Sequence, residues 1–323
     1  MPDVRIAVTD SLTDEAAKAV LDLAAAAAAQ DGRRPLSEQT ELRLRPSARP
    51  GAARHLLARL PGSPDAAGPD GDVVGYAGLE PGPQGASAEL VVDPAHRRQG
   101  VAGELAGVLE TAALETAPPD VAGAATVRLR VWAHGDHPGA RALATRLGYG
   151  VDRELWLMRR SPAELPPVPD APGVRLRSFR PGPDDETWVA LNAAAFASHP
   201  EQGRMTLADL HARMAEPWFD PDGLIVAEDT GTGEVLGFHW TKVHTDGPAP
   251  VGEVYVVGVS PAAQGRGLGK VLTLAGLQHL ARKGLGEVLL YVEADNAPAL
   301  AVYRRLGFEV ADSDVMFGRD LPR

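Results

Sequence analysis

At 323 residues and 44% apolar content, the chain is long enough for two domains of about 150 residues, each with its own core. It has no cysteine, which excludes disulfides, thiolate metal sites and a cysteine nucleophile and fits a reducing cytoplasm. The net charge of −11 argues against nucleic-acid binding, which needs a basic face, and the longest apolar stretch, Leu23 to Ala29, falls far short of the roughly 20 residues of a membrane span.

Asp3, Arg5 and Asp10 interrupt the first residues, so no signal peptide is expected, and the chain reads as a soluble, cytoplasmic monomer. Ile6 to Val8 suits a first strand, followed by a helix capped near Thr13 and ended by Gly32. Leu60 to Gly71, rich in Pro, Gly and Asp, reads as a disordered hairpin tip. Ala88 to Asp93 is a buried strand closed by Pro94; after the loop Arg97-Arg98-Gln99-Gly100-Val101-Ala102, apolar residues at helical spacing run from Gly103 to Thr116. A strand at Val127 to Trp132, a helix entered at His137-Pro138, the stop Leu147-Gly148-Tyr149 and a strand at Glu154 to Met158 complete the half. His134 and His137 share a loop without a third ligand, so no metal site is expected.

Ser161 to Gly173 is too proline-rich for helix or central strand and reads as a semi-rigid linker, which divides the chain into domains 1–160 and 173–323. Beyond it come a strand at Val174 to Phe179, a helix at Asp184 to Phe196, and a hairpin of Leu224 to Glu228 with Val235 to His244 around Asp229-Thr230-Gly231-Thr232-Gly233. Tyr255 to Val259 is a strand closed by Pro261, Gln264-Gly265-Arg266-Gly267-Leu268-Gly269 a loop, and Gly269 to Lys283 a helix. Then follow a strand at Glu287 to Val292, a helix entered at Asn296-Ala297-Pro298-Ala299, Leu306-Gly307-Phe308, and Val315 to Phe317.

The second half therefore repeats the first. Pro94 precedes Gly100 by the same interval as Pro261 precedes Gly267, and each loop delivers a helix N-terminus. Glycines admit a ligand close to the backbone, the first-turn amides have no intrahelical acceptors, and the helix dipole favours negative charge, so each loop is suited to a pyrophosphate. Arg97 and Arg98 in one copy, Arg266 and Lys270 in the other, add cations.

This order of strand, Gln/Arg-x-x-Gly-x-Gly/Ala helix, strand, Asn-x-x-Ala-x-x-x-Tyr helix and Gly-Phe strand resembles the GCN5-related N-acetyltransferases, in tandem. The resemblance implies two α/β domains with mixed sheets and acetyl-CoA as cosubstrate, without metal. Acetyl-CoA would contact Val257, Gly258 and Val259, then Gln264, Gly265, Arg266, Gly267, Leu268, Gly269 and Lys270, and then Asn296, Ala297, Pro298, Ala299, Leu300 and Ala301. In the first copy the matching residues are Leu90, Val91 and Val92 with Arg98, Gln99, Gly100, Val101, Ala102 and Gly103. Counting back from the prolines sets Glu253 against Ala86, and counting back from the glycines sets Tyr303 against Ala144. The second domain is thus expected to be catalytic, with Glu253 as base and Tyr303 as acid, and the first degenerate. A tandem chain with a degenerate first half is similar, within that family, to enzymes that acetylate the cysteinyl amine of a glucosaminyl-inositol pseudo-disaccharide; the alternatives are acetylation of another amine (a protein N-terminus, an aminoglycoside or a small metabolite) and acyl-CoA sensing without catalysis. That likeness points to Glu38, Glu201, Lys242, Glu253 and Tyr291 as substrate contacts.

Overall fold

The structure is a computed structural model that describes residues 4–44, 53–61, 71–82, 85–117, 125–197, 202–245, 247 and 249–323. Most of the expected hairpin tip at Leu60 to Gly71 lies outside the described residues, as does Glu201. The chain divides into two compact units, Met1–Leu155 with Asp312–Arg323, and Trp156–Ala311.

Unit 1 comprises β1 (Arg5–Thr9), α1 (Asp14–Asp31), α2 (Glu38–Arg43), β2 (Arg54–Arg59), β3 (Val73–Gly82), β4 (Gly85–Val92), α3 (Val101–Thr116), β5 (Thr126–Ala133), α4 (Pro138–Leu147) and the first part of β6 (Gly150–Arg160). Strands β1 to β4 form an antiparallel meander, and β5 returns parallel to β4. Helix α1 starts where Thr13 accepts a hydrogen bond from the Ala16 amide and ends at Gly32 in the left-handed region. Its alanine-rich stripe, Ala16, Ala17, Val20, Leu23, Ala24 and Ala27, packs closely on Leu57, Tyr76 and Val91. Helix α3 covers the other face through Val101, Leu105, Leu109 and Ala112. The mixed sheet thus lies between helical layers, with one core on each face.

Unit 2 repeats this plan with β7 (Val174–Ser178), α5 (Asp185–Ala195), α6 (Leu207–Met214), β8 (Leu224–Asp229), β9 (Val235–His244), β10 (Val251–Val259), α7 (Leu268–Arg282), β11 (Val288–Glu293) and α8 (Ala297–Arg305). Helices α5 and α6 pack an aromatic core of Trp188, Phe238 and Trp240 on one face, and α7 packs Leu268, Leu272 and Ala275 on the other. Among the described residues of either unit, no helix is long and apolar enough to cross a membrane. The segment from Ser161 to Gly173 has neither helix nor strand. Leu165 and Val168 pack on the apolar clusters of unit 2, and Pro166 accepts a hydrogen bond from Gln278.

The last strands are shared differently from a cut at that linker. Asp152 on β6 binds Arg128 and Arg130 in unit 1, whereas Met158 on the same strand is fully buried in unit 2 with Leu290 and Phe308. Conversely, β12 (Glu309–Pro322) begins in unit 2, and its residues Val315 to Pro322 pair antiparallel with β5 in unit 1. Alternation of apolar residues fixes which face a strand buries, but not which strand lies beside it.

Candidate active site

Strand β10 carries the main irregularity of unit 2. Its antiparallel ladder with β9 runs from Val251↔His244 to Val254↔Thr241, then resumes at Val256↔Trp240, leaving Tyr255 as an extra residue. Its parallel pairing with β11 covers only Gly252↔Val288, Glu253↔Leu289 and Val254↔Leu290 among the described residues. Beyond that point the strands part, and the backbone of Val257, Gly258 and Val259 borders the opening. An extended chain laid there can hydrogen-bond along the exposed strand edge.

The loop after β10 completes a site of matching shape. Gly265 and Gly267 have φ of 79° and 75°, and α7 begins at Leu268 without a side-chain cap. Apart from the chain neighbours and the helix's own backbone, nothing lies within 4 Å of where a Cβ would stand at Gly265, Gly267 or Gly269, so the loop and the first turn are open on that side. Arg266 and Lys270 are exposed beside them. Backbone donors, the positive end of a 15-residue helix and two cations together suit a pyrophosphate. On α8 the Asn296 side chain accepts from the Ala299 amide, so it also serves as the helix cap.

Glu253 is buried on β10, and its Oε2 accepts a hydrogen bond of 2.6 Å from Nε2 of His244. Lys242 stands directly opposite Glu253 in the ladder, hence on the same face of the sheet. Its ammonium lies 4.5 Å from the Trp218 ring centroid and 5.3 Å from that of Tyr255. Buried Arg213 on α6 donates to the Tyr255 hydroxyl at 2.9 Å. A carboxylate, an ammonium and an aromatic wall therefore converge where the bulge begins. Tyr291 follows the last β10–β11 pair and is exposed.

Tyr303 on α8 packs on the cluster containing Val254, Leu290 and Val292, at the parting of the strands. Its ring meets Phe308 edge-on at 5.8 Å. Burial pushes its hydroxyl up to about 12, so it stays protonated at neutral pH and can serve as a proton donor.

Unit 1 lacks several of these features. The β3–β4 ladder runs from Gly75↔Val92 to Gly82↔Gly85 without a shift, so β4 has no bulge. Glu253 pairs with Leu289, whose counterpart by glycine counting, Arg130, pairs with Ser87. The residue facing Glu253 across the repeat is therefore Ser87 rather than Ala86, and still not a carboxylate. Ala144, opposite Tyr303, is buried beside Val315 and Phe317.

The first loop keeps its helix N-terminus but loses a cation. Gly100, at φ 100°, precedes α3, which has no side-chain cap. Arg97, by contrast, makes two hydrogen bonds of 2.8 and 2.7 Å to Asp31, holding that carboxyl below its ordinary range. Arg98 takes the left-handed conformation that Gly265 has in the second copy. Sequence reading missed Arg146, whose guanidinium lies 3.4 Å from a Cβ built on Gly103 and so stands at the first turn of α3. It also missed His244, Tyr255, Trp218 and Arg213. Alternation along Trp240, Lys242 and His244 was the one signal available for His244. Glu38 is the first residue of α2 in unit 1, behind the cap Ser37.

Among the described residues, no group of three His, Asp or Glu could hold a metal ion. The Acetyltransferase (GNAT) family matches residues 33–149 and 188–308, once in each half. The chain belongs to the GNAT acetyltransferase family. It is an enzyme of that family in tandem form, with a mixed sheet in each unit. A protein of Nocardia farcinica named mycothiol acetyltransferase is 50% identical over 98% of both chains. Among solved structures, a GCN5-related N-acetyltransferase from Sphaerobacter thermophilus superimposes with a TM-score of 0.68 at 25% identity, covering 100% of this chain and 98% of that one. A tandem GNAT protein from the clavulanic acid biosynthesis pathway superimposes with a TM-score of 0.71 at 23% identity over 98% of both chains, which shows a shared fold.

Proposed function

We propose that this GNAT enzyme transfers the acetyl group of acetyl-CoA to the cysteinyl amine of a glucosaminyl-inositol pseudo-disaccharide, the step that completes mycothiol. The observation that carries this reading is the 50% identity, over nearly the whole of both chains, to a protein named mycothiol acetyltransferase. The chemistry belongs to unit 2. The amine must be neutral to attack the thioester carbonyl, and Glu253 takes its proton, directly or through water. As the new C–N bond forms and the C–S bond breaks, the Tyr303 hydroxyl gives its proton to the departing thiolate. Val257, Gly258 and Val259 hold the acyl arm, Gln264 to Lys270 the pyrophosphate, and the helix entered at Asn296 the rest of the cosubstrate. Lys242 and Tyr291, with Glu201, contact the amine substrate.

Unit 1 is a non-catalytic member of the pair. Ser87 and Ala144 stand where the base and acid stand in unit 2. Leu90 to Val92 and the loop Arg98 to Gly103, helped by Arg146, are suited to a second acyl-CoA. The test presents purified enzyme and acetyl-CoA with the pseudo-disaccharide, an aminoglycoside and a peptide N-terminus in parallel, and follows release of CoA thiol. Release with the pseudo-disaccharide alone is expected. Release with another amine, and none with the pseudo-disaccharide, overturns the substrate assignment.

A further inference from the structure

Glu253 has a partner that the acetyl-transfer scheme leaves unused. His244 is the diagonal neighbour of Glu253 on β9, two residues past Lys242 and on the same face of the sheet. The His244 side chain is 28% exposed and that of Glu253 only 8%, so the pair joins a buried carboxylate to a ring at the surface. The distance from Nε2 to Oε2 is 2.6 Å. An ionised carboxylate can only accept, so the hydrogen in this bond belongs to His244 Nε2.

A glutamate side chain has three rotatable bonds, and a base must hold one oxygen against its target through the turnover. The other oxygen is where a positioning partner can act without blocking the reaction. We infer that His244 is a positioning residue for acetyl transfer: its Nε2–H fixes Oε2 of Glu253 and so leaves Oε1 directed at the substrate amine. The inference rests on the reading of Glu253 as base. Lys242 lies over the Trp218 and Tyr255 rings, and Arg213 is bonded to the Tyr255 hydroxyl and the Asp209 carbonyl.

The experiment compares His244→Phe, His244→Gln, Glu253→Gln and the double variant Glu253→Gln/His244→Phe for kcat, for KM of each substrate and for thermal midpoint. Misplacing a catalytic group by an ångström costs about a hundredfold, so kcat of His244→Phe is expected to fall about 10- to 100-fold with KM for acetyl-CoA unchanged. His244→Gln keeps an N–H donor and recovers most of that loss. The double variant is no slower than Glu253→Gln, because His244 acts only through the carboxylate. If His244→Phe keeps parental kcat while Glu253→Gln is inactive, the positioning role is refuted and the base survives. If Glu253→Gln is itself fully active, both readings fall. Equal losses in His244→Phe and His244→Gln, with a lowered midpoint in each, would mark His244 as structural and overturn the inference, as would additive losses in the double variant.

Discussion

Replacing His134 with leucine tests the most heavily buried charge cluster of unit 1. His134 sits between two carboxylates, with Nδ1 3.1 Å from Asp314 and Nε2 3.4 Å from Glu89, both buried. Glu89 also accepts from the Ser37 amide, and Asp314 from Gly135 and Arg33. The cluster therefore ties the start of α2 and the end of α1 to β12. Burial disfavours the charged ring, but hydrogen bonds and attraction from Asp314 and Glu89 outweigh it and raise His134 to about 10. Burial likewise pushes both carboxyls up, and the His134 contacts reverse this, leaving them below their ordinary values. Removing one member of such a buried set costs about 3–5 kcal/mol, which at about 2 kcal/mol per M lowers a urea midpoint by about 2 M.

The pH dependence has a definite sign. The folded value of His134 exceeds the unfolded 6.5, so its stabilisation is complete below about pH 6.5, shrinks as pH rises and is gone above about 10. Urea melts followed by far-UV CD and by fluorescence report on unit 1 through Trp132, which stacks on His134 at 6.1 Å and is the only tryptophan of that unit. The parent should lose stability between pH 7 and pH 10.5, and His134→Leu should start lower and lose less. An unchanged midpoint in the variant at pH 7, or a parent whose stability is flat over that range, refutes the reasoning.

In unit 2, Tyr303→Phe should lower kcat by about 10²-fold or more as the general acid is lost. Because burial holds the Tyr303 hydroxyl near 12, the parent should show no alkaline loss of kcat from this group below about pH 11; stopped-time CoA release across pH measures both. Gly267→Val forces a β-branched residue to φ 75° at the mouth of the phosphate loop, so acetyl-CoA affinity by calorimetry should fall more than about tenfold while the helical CD signal persists. Lys242→Met removes the ammonium facing Trp218 and Tyr255. It should raise KM for the amine about tenfold, with KM for acetyl-CoA unchanged.

The repeat was legible because it rests on short-range chemistry. Prolines closing strands, glycines opening helices, the Thr13 and Gly32 caps of α1 and the proline-rich segment after β6 all declare themselves locally. What escaped depends on partners distant in sequence. A bulge at Tyr255 is a property of two strands, so residue counting placed the counterpart of Glu253 one position early. The division of β6 and β12 between the units is a choice of neighbour that a single strand does not record. Arg97 looked like a phosphate ligand because nothing in its loop announces Asp31 at the far end of α1. Helices α2 and α6, of 6 and 8 residues, are too short for a periodic signal, yet they carry Glu38 and Arg213.

Acetyl transfer in unit 2 depends on Glu253 taking the proton of the attacking amine. The most direct measurement is the pH–rate profile of Glu253→Gln beside the parent, with acetyl-CoA and the cysteinyl pseudo-disaccharide. The loss should be greatest at low pH, where few substrate amines are already neutral, and should shrink as pH rises. A variant whose profile matches the parent in both height and shape would contradict it.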